Sequence, residues 1–315
     1  MSFLVVQNLT KEYPLGLLGK EKLKAVDDVS FEIERSKIVS LIGESGSGKT
    51  TIGKLVLRLL KPTSGRIVFD GKDVFSLRKE ELRDYYRRVQ GVFQDPFSSF
   101  NPIYKIDRVF DMVFEEFLPE VKASERKARI EQVLTSVGLN PSQILGKYPH
   151  QLSGGQLQRI LIARILLLDV ELLVADEIIS MLDASTRVDI LNLLGDLKKR
   201  GMSVIFITHD LSLGYYISDE ALIMYRGSIV EMGDTEKVFR NPVHPYTRML
   251  LESVPEVGKK WDLRERFTPE LIGGDSASCK YYDRCPIRER HCRTAHLQMV
   301  EVEENHKVLC LKAGA

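Results

Sequence analysis

The stretch Gly43-Glu44-Ser45-Gly46-Ser47-Gly48-Lys49-Thr50-Thr51 matches the phosphate-binding pattern G-x-x-x-x-G-K-[ST]. Glycines in this pattern let the backbone curl tightly and turn successive N–H groups inward, where they form an anion site with the start of the following helix. The lysine of such a loop reaches the β- and γ-phosphates, and the hydroxyl after it holds Mg²⁺. The residues that this pattern predicts to bind a nucleotide are Gly43, Ser45, Gly46, Ser47, Gly48, Lys49, Thr50 and Thr51.

The sequence around this loop has the order of strand, loop and helix that a phosphate loop requires. The apolar run from Ile38 to Ile42 predicts a short strand, and Thr51 to Leu60 predicts a helix that ends before Pro62. Leu4 to Val6 and Val29 to Ile33 predict two further short strands upstream. The local sequence therefore supports a functional loop rather than a chance match.

Composition and charge limit the classes of function. The chain has 315 residues, of which 43% are hydrophobic and 28% charged, as is typical of a soluble globular protein with about two domains. Its net charge of +1 gives no bulk electrostatic argument for binding nucleic acid or anionic lipid. The most apolar stretch, 160–175, contains Arg164, Asp169 and Glu171, so no membrane span is predicted. The N-terminus shows no secretion signal, and we expect a cytosolic protein.

Two residues outside the loop are predicted to contact the nucleotide or its metal ion. Tyr13 lies between the first two predicted strands, where its ring can stack on adenine at the mouth of the site. Gln94 lies at the end of a predicted strand over residues 89–93 that is stopped by Pro96, where it can contact Mg²⁺ and the attacking water. On spacing alone, the alternatives are an ordinary edge-strand tyrosine and an ordinary surface glutamine.

A second anion site is predicted where a polar glycine turn opens an apolar helix. Two helical patterns between residues 108 and 138 precede this turn, so the intervening region is predicted to be mainly helical. The hydroxyl of Ser153 and the amides of Gly154 and Gly155 lie at the predicted helix start, with Gln156 following. Because the chain has one phosphate loop, these donors need a phosphate from another source.

Two strand ends carry the predicted catalytic side chains. The apolar strand over 171–175 ends in Asp176 and Glu177, and adjacent strand residues face opposite sides, so the two carboxylates are predicted to differ in role. Asp176 suits the Mg²⁺ site and Glu177 the general base. The strand over 203–208 delivers His209 to the carboxyl end of the sheet, where it can contact the γ-phosphate. A lone histidine after a strand is more often structural, so its role depends on these neighbours.

Taken together, these motifs closely resemble the nucleotide-binding subunits of ATP-binding cassette (ABC) transporters. The resemblance covers residues 1–240 and is carried by the phosphate loop, Gln94, Leu152-Ser153-Gly154-Gly155-Gln156, Asp176-Glu177, Asp183 and His209. It implies an α/β fold with a phosphate-loop, RecA-like ABC ATPase core, an antiparallel β subdomain and a helical insert over about residues 95–165. Asp183, which is also predicted to cap a helix, is implied as a nucleotide-site residue.

The resemblance also implies cofactors and partners. In this family two cassettes meet head to tail, and the Leu-Ser-Gly-Gly-Gln turn of one chain closes on the γ-phosphate bound by the other. ATP, Mg²⁺, a second ATPase subunit and two membrane permease subunits are therefore expected, with an extracytoplasmic solute-binding protein acting indirectly and no nucleic acid. The chain is expected at the cytoplasmic face of the membrane as a peripheral subunit. We expect the part of the insert between Asp95 and about Gln151 to contact the permeases, with Gln94 as its hinge.

Two further stretches narrow the resemblance to importers of oligopeptides and dipeptides. They are Phe93–Pro102 and Asn241–Thr247, and a cysteine-containing tail around Arg284-Cys285-Pro286 is similar to the same branch. Residues 241–315 are accordingly predicted to form a C-terminal extension. The expected function is the ATP-hydrolysing subunit of an importer of di- or oligopeptides or a related solute.

The sequence departs from the family pattern just after the predicted general base. Ile178, Ile179 and Met181 stand where the family usually has Pro, Thr and Ala. Because Asp176 and Glu177 are retained, activity is expected. Loss of the proline and the larger Met181 leave the backbone path after Glu177 and the contact across the dimer open.

Two other classes of function fit the sequence less well than transport. A soluble cassette ATPase acting on nucleic acid or ribosomes would resemble proteins with a coiled-coil or zinc insertion, or with two cassettes in one chain, and this sequence shows neither. A nucleotide sensor without turnover would be favoured if Glu177 were absent, but it is present.

All four cysteines of the chain lie near its C-terminus, as Cys279, Cys285, Cys292 and Cys310. Such clustering indicates one unit, and in a reducing compartment a metal site is favoured over disulfides. The spacings do not fit the short pairs of common zinc sites or the bacterial ferredoxin pattern, so spacing alone leaves the metal open. The resemblance to importers with a cysteine-rich tail favours a [4Fe–4S] cluster. Zinc is the alternative, with a histidine replacing a cysteine, and unligated thiols remain the third interpretation. The candidate histidines are His291, His296 and His306.

Overall fold

The computed structural model describes residues 2–15, 21–253 and 278–313, and its strands form two sheets. The strands in chain order are β1 (Ser2–Leu15), β2 (Glu21–Glu34), β3 (Ile38–Ile42), β4 (Ser64–Phe69), β5 (Lys72–Asp73), β6 (Val89–Val92), β7 (Leu172–Asp176), β8 (Ser203–Thr208), β9 (Glu220–Tyr225), β10 (Ser228–Asp234), β11 (Val300–Glu303) and β12 (His306–Val308).

The helices lie between these strands and supply the covering layers. They are α1 (Lys49–Val56), α2 (Lys79–Arg88), α3 (Asp107–Phe117), α4 (Ala123–Ser136), α5 (Pro141–Ile144), α6 (Gly154–Ile165), α7 (Ala184–Lys199), α8 (Leu211–Ile217), α9 (Thr235–Arg240) and α10 (Pro245–Glu252). Short 3₁₀ turns occur at Phe97–Ser99, Pro149–Gln151, Tyr282–Arg284 and Arg290–Arg293.

The larger sheet places the phosphate loop at its centre. Its order is β11-β12-β10-β9-β3-β8-β7-β6, and β3 pairs in parallel with both β8 and β9. The parallel strands end at one edge, where loops after β3, β7 and β8 meet, as expected for ligand sites of open α/β sheets. The smaller, antiparallel sheet has the order β2-β1-β4-β5.

Alternation along the central strands separates two cores. In β7, Leu173 and Ala175 join the cluster under the helical insert, whereas Leu172 and Val174 join the cluster between α1 and the two sheets. Every residue of β3, β7 and β8 is buried, which explains why these strands are continuous apolar runs. The sequence prediction of an α/β core with an antiparallel subdomain and a helical insert is confirmed in this architecture.

Several element lengths differ from the sequence prediction. Strands β1 and β2 each have 14 residues, so Lys11 to Pro14 are paired strand residues rather than a loop. The extra length could not be predicted, because the far end of this strand pair is half exposed and carries charged residues instead of an apolar alternation. Lys22 and Glu12 form an ion pair across the two strands there, at 2.9 Å. Helix α1 ends at Val56, short of the predicted Leu60, since Arg58 adopts a left-handed φ of 55°.

The C-terminal part of the chain joins the main sheet. Strand β12 pairs antiparallel with β10, with Glu231 opposite Val308, and β11 pairs with β12. Glu231 is fully buried, and its carboxylate accepts the N–H groups of Val243 and His244 at 2.8 and 3.0 Å. His306, 1% exposed, lies 2.8 Å from the same carboxylate through Nε2. One buried carboxylate thus ties together the sheet, the start of α10 and the final hairpin.

Within the described ranges, no helix combines the length and the apolar character needed to cross a membrane.

We predict that the His306–Glu231 pair makes the stability of the fold depend on pH. The carboxylates of Glu231 and, at 3.2 Å, Glu303 raise the pKa of His306 above its usual 6.5, because both favour the charged imidazolium. A raised folded-state pKa stabilises the fold fully below the unfolded pKa, and this contribution is lost as pH rises through the folded value.

His306→Asn should therefore lower the free energy of unfolding by about 1–3 kcal/mol at about pH 6, and by less at about pH 9. Denaturant unfolding at the two pH values measures both quantities. The exposed His150→Asn is the matched control and should leave the difference unchanged. Equal pH slopes for wild type and His306→Asn would contradict the account.

Candidate functional site

The phosphate loop is held in shape by close backbone contacts that only glycine permits. Gly48 precedes α1 with φ of 105°, and a Cβ at this position would lie 2.2 Å from the carbonyl oxygen of Ala25 in β2. A Cβ on Gly43 would lie 2.2 Å from the carbonyl oxygen of Met224 in β9. The loop therefore packs closely against strands of both sheets, β2 on one side and β9 on the other.

Lys49 is the buried cation of the site. Its ammonium donates to the carbonyl oxygens of Gly43 and Glu44 at 2.8 and 2.9 Å, and the residue is 4% exposed. Burial lowers the pKa of Lys49, and the negative charges of Glu177, Asp176 and Glu44 oppose this lowering. An ammonium whose hydrogen-bonded partners are carbonyls in a buried loop is well suited to receive an anion such as phosphate.

Thr50 and Asp176 form the predicted oxygen pair for Mg²⁺. The Thr50 hydroxyl donates to the Asp176 carboxylate at 3.1 Å, and Asp176 is 6% exposed at the end of β7. Burial raises the pKa of Asp176, so the charged carboxylate needs a cation to stabilise it. A hydroxyl and a carboxylate placed together fit the hard oxygen ligands that Mg²⁺ prefers.

Glu177 and His209 meet on the outer side of the same edge. The His209 Nδ1 lies 3.2 Å from the Glu177 carboxylate, and His209 is mostly exposed. Glu177 has left the strand: its φ is 51° and its N–H donates to the Ile207 carbonyl oxygen at 2.9 Å. The prediction that Asp176 and Glu177 face opposite sides of one strand is wrong, because β7 ends at Asp176. The two carboxylates point apart because the chain turns at Glu177.

The three residues that depart from the family pattern after Glu177 lie in two different environments. Ile178 and Ile179 are 1% and 2% exposed and belong to the core beneath the helical insert. Ser180 stabilises the turn, since its N–H and hydroxyl both donate to the Glu177 carbonyl oxygen, at 3.1 and 2.9 Å. Met181 is 62% exposed and faces outward.

Gln94 and Tyr13 lie on different elements, and their predicted contacts with the nucleotide or its metal ion stay predictions. Gln94 is exposed and follows β6, which ends beside β7 with Val92 opposite Ala175. It thus emerges at the edge that carries Asp176. Tyr13 lies in β1 opposite Leu23 and two positions from Ala25 along β2, with the Lys11 ammonium 5.3 Å from its ring centroid. Tyr13 is therefore a strand residue close to the phosphate loop.

The second predicted anion site is a helix start in its own right. Ser153 caps α6: its hydroxyl accepts the Gln156 N–H at 3.2 Å, and the Gln156 side chain accepts the Ser153 N–H at 2.9 Å. Gly155 packs so closely that an added Cβ would lie 2.8 Å from Thr186. Among the described residues, no hydrogen bond joins this turn to the phosphate loop of the same chain.

Asp183 caps helix α7 as predicted. Its carboxylate accepts hydrogen bonds from the Ser185 hydroxyl at 2.6 Å and from the N–H and hydroxyl of Thr186 at 3.0 and 2.8 Å. These bonds, chiefly that of Ser185, hold the pKa of Asp183 well below its usual value. Capping alone accounts for the contacts that Asp183 makes here, and its implied role toward the nucleotide stays a prediction.

One contact of the phosphate loop has no signal in the local sequence. The Glu44 N–H donates to the Tyr246 hydroxyl at 3.0 Å, and the Arg284 guanidinium donates to both Glu44 carboxylate oxygens at 3.2 Å. Tyr246 and Arg284 both belong to the predicted C-terminal extension. Both residues lie in stretches that resemble peptide importers, Asn241–Thr247 and Arg284–Pro286. Nothing in the sequence of these stretches indicates that they contact the phosphate loop.

The four cysteines come together in space, as their clustering near the C-terminus predicts. Cys279, Cys285, Cys292 and Cys310 line one small, apolar cavity, and all four are free thiols. The Cys279 N–H donates to the Cys292 carbonyl oxygen at 3.2 Å. Within residues 2–15, 21–253 and 278–313, no three Cys, His, Asp or Glu side chains are placed to hold a single metal ion. His306 is engaged by two carboxylates and does not line the cavity.

Comparison with known proteins gives consistent matches over the whole chain. Residues 26–180 match the family described as ABC transporter, and residues 230–292 match the family described as oligopeptide/dipeptide transporter, C-terminal region. A Brucella ovis protein described as a peptide import ATP-binding protein is 41% identical, over 98% of this chain and 97% of its own length. The oligopeptide transport ATP-binding protein AppF of Bacillus subtilis is 38% identical, over 98% of this chain and 97% of its own.

Solved structures match the main part of the fold. The dimeric ATP-binding cassette MJ0796 bound to ADP and Pi, in a post-hydrolysis state, has a TM-score of 0.66 and 28% identity, and the match covers 74% of this chain and 98% of that one. The protein cbiO1 of Clostridium perfringens, part of the transporter complex cbiONQ, has a TM-score of 0.65 and 26% identity, with 76% and 91% covered.

We predict that Lys49→Ala weakens the binding of a fluorescent ATP analogue about 10- to 100-fold, because a buried charge-assisted contact to phosphate is lost. Titration of the analogue into the full-length chain measures this. The exposed Lys127→Ala, on α4, is the control and should bind like wild type. Unchanged affinity in Lys49→Ala would contradict the assignment of the phosphate loop as the nucleotide-binding site.

Proposed function

The chain belongs to the ATP-binding subunits of ABC transporters, in the branch that carries the oligopeptide/dipeptide C-terminal region, and we propose that it hydrolyses ATP to drive import of peptides through partner membrane subunits. The observation that carries the proposal is the meeting of three groups at one sheet edge: Lys49 in its loop, the Thr50–Asp176 pair and the Glu177–His209 pair. This arrangement supplies what phosphoryl transfer to water requires, namely charge stabilisation and a base.

The chemistry follows from the burial of each group. Lys49 stabilises the negative charge of the β- and γ-phosphates of the substrate, and its cost of burial is offset when an anion is present. Thr50 and Asp176 would hold Mg²⁺, which would supply further positive charge to the phosphates. Glu177 accepts the proton of the attacking water, and His209 holds that carboxylate at 3.2 Å. Gln94 orients the water from the neighbouring strand end.

A second ATPase subunit explains the turn at the start of α6. The amides at Gly154 and Gly155 and the Ser153 hydroxyl form an anion-binding helix start, yet their own chain offers them no phosphate. We place them against the γ-phosphate of a facing subunit, in the head-to-tail arrangement of the family. The dimeric state of the matching cassette MJ0796 supports this arrangement. In the closed dimer, Asp183 and the exposed Met181 lie at the facing surface.

The helical insert is proposed to contact the membrane subunits. Its first half carries large apolar side chains that are exposed, which a subunit surface buried against a partner would explain. These side chains are Phe97 (49%), Ile103 (77%), Tyr104 (53%) and Met112 (55%). They follow Gln94 directly, so a change at the γ-phosphate can move this surface as a body.

The proposed location and solute follow from these partners. A chain that docks on membrane permeases lies at the cytoplasmic face of the membrane as a peripheral subunit. Relatives named for peptide import and oligopeptide transport support peptides as the solute and favour transport over action on nucleic acid. An extracytoplasmic binding protein would then present the peptide, acting on this chain only through the permeases.

The cavity of the four cysteines is proposed to hold a [4Fe–4S] cluster. The four free thiols line one cavity, although among the described residues no three such side chains are placed to hold a single metal ion. A cluster offers a separate iron to each thiolate and therefore fits a wider set. Burial raises the pKa of Cys279 to about 11 and raises that of Cys285, so positive iron would be needed to keep these thiolates charged.

We predict that Glu177→Gln binds ATP but hydrolyses it at least about 100-fold more slowly, because the contacts to phosphate remain while the base is lost. With ATP and Mg²⁺ the variant should elute from gel filtration as a dimer, either of itself or with a co-expressed related ATPase chain. Glu81→Gln, in an exposed pair with Lys72, is the control and should hydrolyse at the wild-type rate. Wild-type hydrolysis in Glu177→Gln would contradict the proposed base.

We predict that Ile103→Glu abolishes co-purification with the detergent-solubilised permeases while leaving ATP binding unchanged. A charge at the centre of an apolar contact must be desolvated without a partner, which weakens association. Leu59→Glu, also an exposed apolar position (58%) but outside the insert, is the matched control. Normal recovery of the permeases with Ile103→Glu, or crosslinks that map to residues after Asn241 instead, would move the docking surface elsewhere.

We predict that protein purified without oxygen is brown and contains about four iron and four sulfide per chain. Cys292→Ser should lower both contents and the visible absorbance. Colourless protein with stoichiometric zinc would contradict the cluster while leaving a four-cysteine metal site in place.

A further inference from the structure

The C-terminal extension makes a direct two-part contact with the phosphate loop. The Tyr246 hydroxyl accepts the backbone N–H of Glu44 at 3.0 Å, and Arg284 donates two hydrogen bonds, each of 3.2 Å, to the Glu44 side chain. Backbone and carboxylate of one loop residue are thus held by two residues that lie about 200 or more positions later in the chain. Such a bidentate pair fixes direction as well as distance.

Tyr246 is rigidly placed for this contact. It is fully buried, and its ring centroid lies 4.6 Å from that of Tyr225 and 5.5 Å from that of Tyr281. Its backbone is fixed as well, because Pro245 begins α10 and the His244 Nδ1 accepts the Tyr246 N–H at 3.1 Å. The start of α10 at His244-Pro245-Tyr246 therefore fixes the Tyr246 hydroxyl in contact with the phosphate loop.

Arg284 is also held before it meets the loop. Its guanidinium lies 5.9 and 5.7 Å from the ring centroids of Tyr225 and Tyr281, within the range of cation–π contact. The Arg284 side chain is 24% exposed, and the Glu44 side chain 40% exposed. The pair is therefore partly shielded from solvent, and its guanidinium loses little freedom on binding the carboxylate.

The residue held in this way is the one that holds Lys49. The Glu44 carbonyl oxygen accepts the Lys49 ammonium at 2.9 Å and the Ser47 N–H at 3.2 Å. The Glu44 carboxylate is also close enough to act on the charge of Lys49 electrostatically. Without Arg284, that carboxylate would be an unpaired negative charge beside the site of a highly negative substrate.

We propose that Tyr246 and Arg284 are positioning residues through which the C-terminal extension sets the affinity of the phosphate loop for ATP. Tyr246 fixes the first turn of the loop by taking up the Glu44 N–H, so that this amide is directed away from the phosphates. Arg284 neutralises the Glu44 carboxylate and removes its repulsion of the substrate. The inference rests on the proposed use of this loop for ATP.

The test measures binding and turnover in conservative variants of the full-length chain. Tyr246→Phe removes one oxygen and keeps the ring packing, and Arg284→Ala removes the guanidinium. Each should raise the Kd for a fluorescent ATP analogue, and the KM for ATP in the assembled transporter, by about three- to tenfold with kcat nearly unchanged. Arg284→Lys should recover part of the loss, since it restores charge without the bidentate geometry.

A double variant separates the two contributions of Arg284. Glu44→Ala removes the carboxylate that needs neutralising, so Glu44→Ala combined with Arg284→Ala should bind ATP more tightly than Arg284→Ala alone. Arg248→Ala, on the same helix as Tyr246 but bonded to the Pro242 carbonyl oxygen, is the matched control and should bind like wild type.

Unchanged Kd and KM in both Tyr246→Phe and Arg284→Ala would overturn the inference. A fall in thermal stability and kcat without a change in KM would also overturn it, since that pattern indicates a merely structural contact. Lys49→Ala separates a failure of this inference from a failure of the proposed function. If Lys49→Ala also binds ATP normally, the loop is not the ATP site and the proposed function fails as well.

Discussion

The burial of the Lys49 ammonium is the constraint on which the site depends. A charge that is 4% exposed and bonded to two loop carbonyls is costly until an anion arrives, and burial lowers its pKa accordingly. Asp176 is in the complementary position, a buried carboxylate whose pKa is raised until a cation arrives. A nucleotide together with a divalent cation satisfies both groups at once. The fold therefore buries a cation and a carboxylate in one site, where they compensate each other only in part, and substrate binding completes the compensation.

Much of this could be predicted from the sequence because its signals are local. The phosphate loop, the buried strands and the helix caps at Ser153 and Asp183 each depend on a few neighbouring residues, and the structure has them where predicted. The length of β1 and β2 could not be predicted in the same way, since backbone pairing continues through charged, half-exposed positions. The reason for the separate roles of Asp176 and Glu177 was also beyond a strand pattern, because it lies in the left-handed turn at Glu177.

The grouping of the four cysteines was predicted from their clustering, but the contacts of the C-terminal extension with the core were not. Arg284, next to Cys285, reaches the phosphate loop. Glu231 holds the final hairpin through His306 in the main sheet. These links make the C-terminal extension continuous with the ATPase core rather than an appended module.

The central claim is that ATP hydrolysis on this chain drives peptide import. The most direct measurement reconstitutes the chain with its permeases, its partner ATPase and the solute-binding protein in vesicles, and follows a labelled peptide and ATP hydrolysis together. The account predicts that peptide accumulates only with ATP and Mg²⁺, and that loaded binding protein accelerates hydrolysis. Accumulation that continues without hydrolysable ATP, or hydrolysis that moves no peptide, would contradict it.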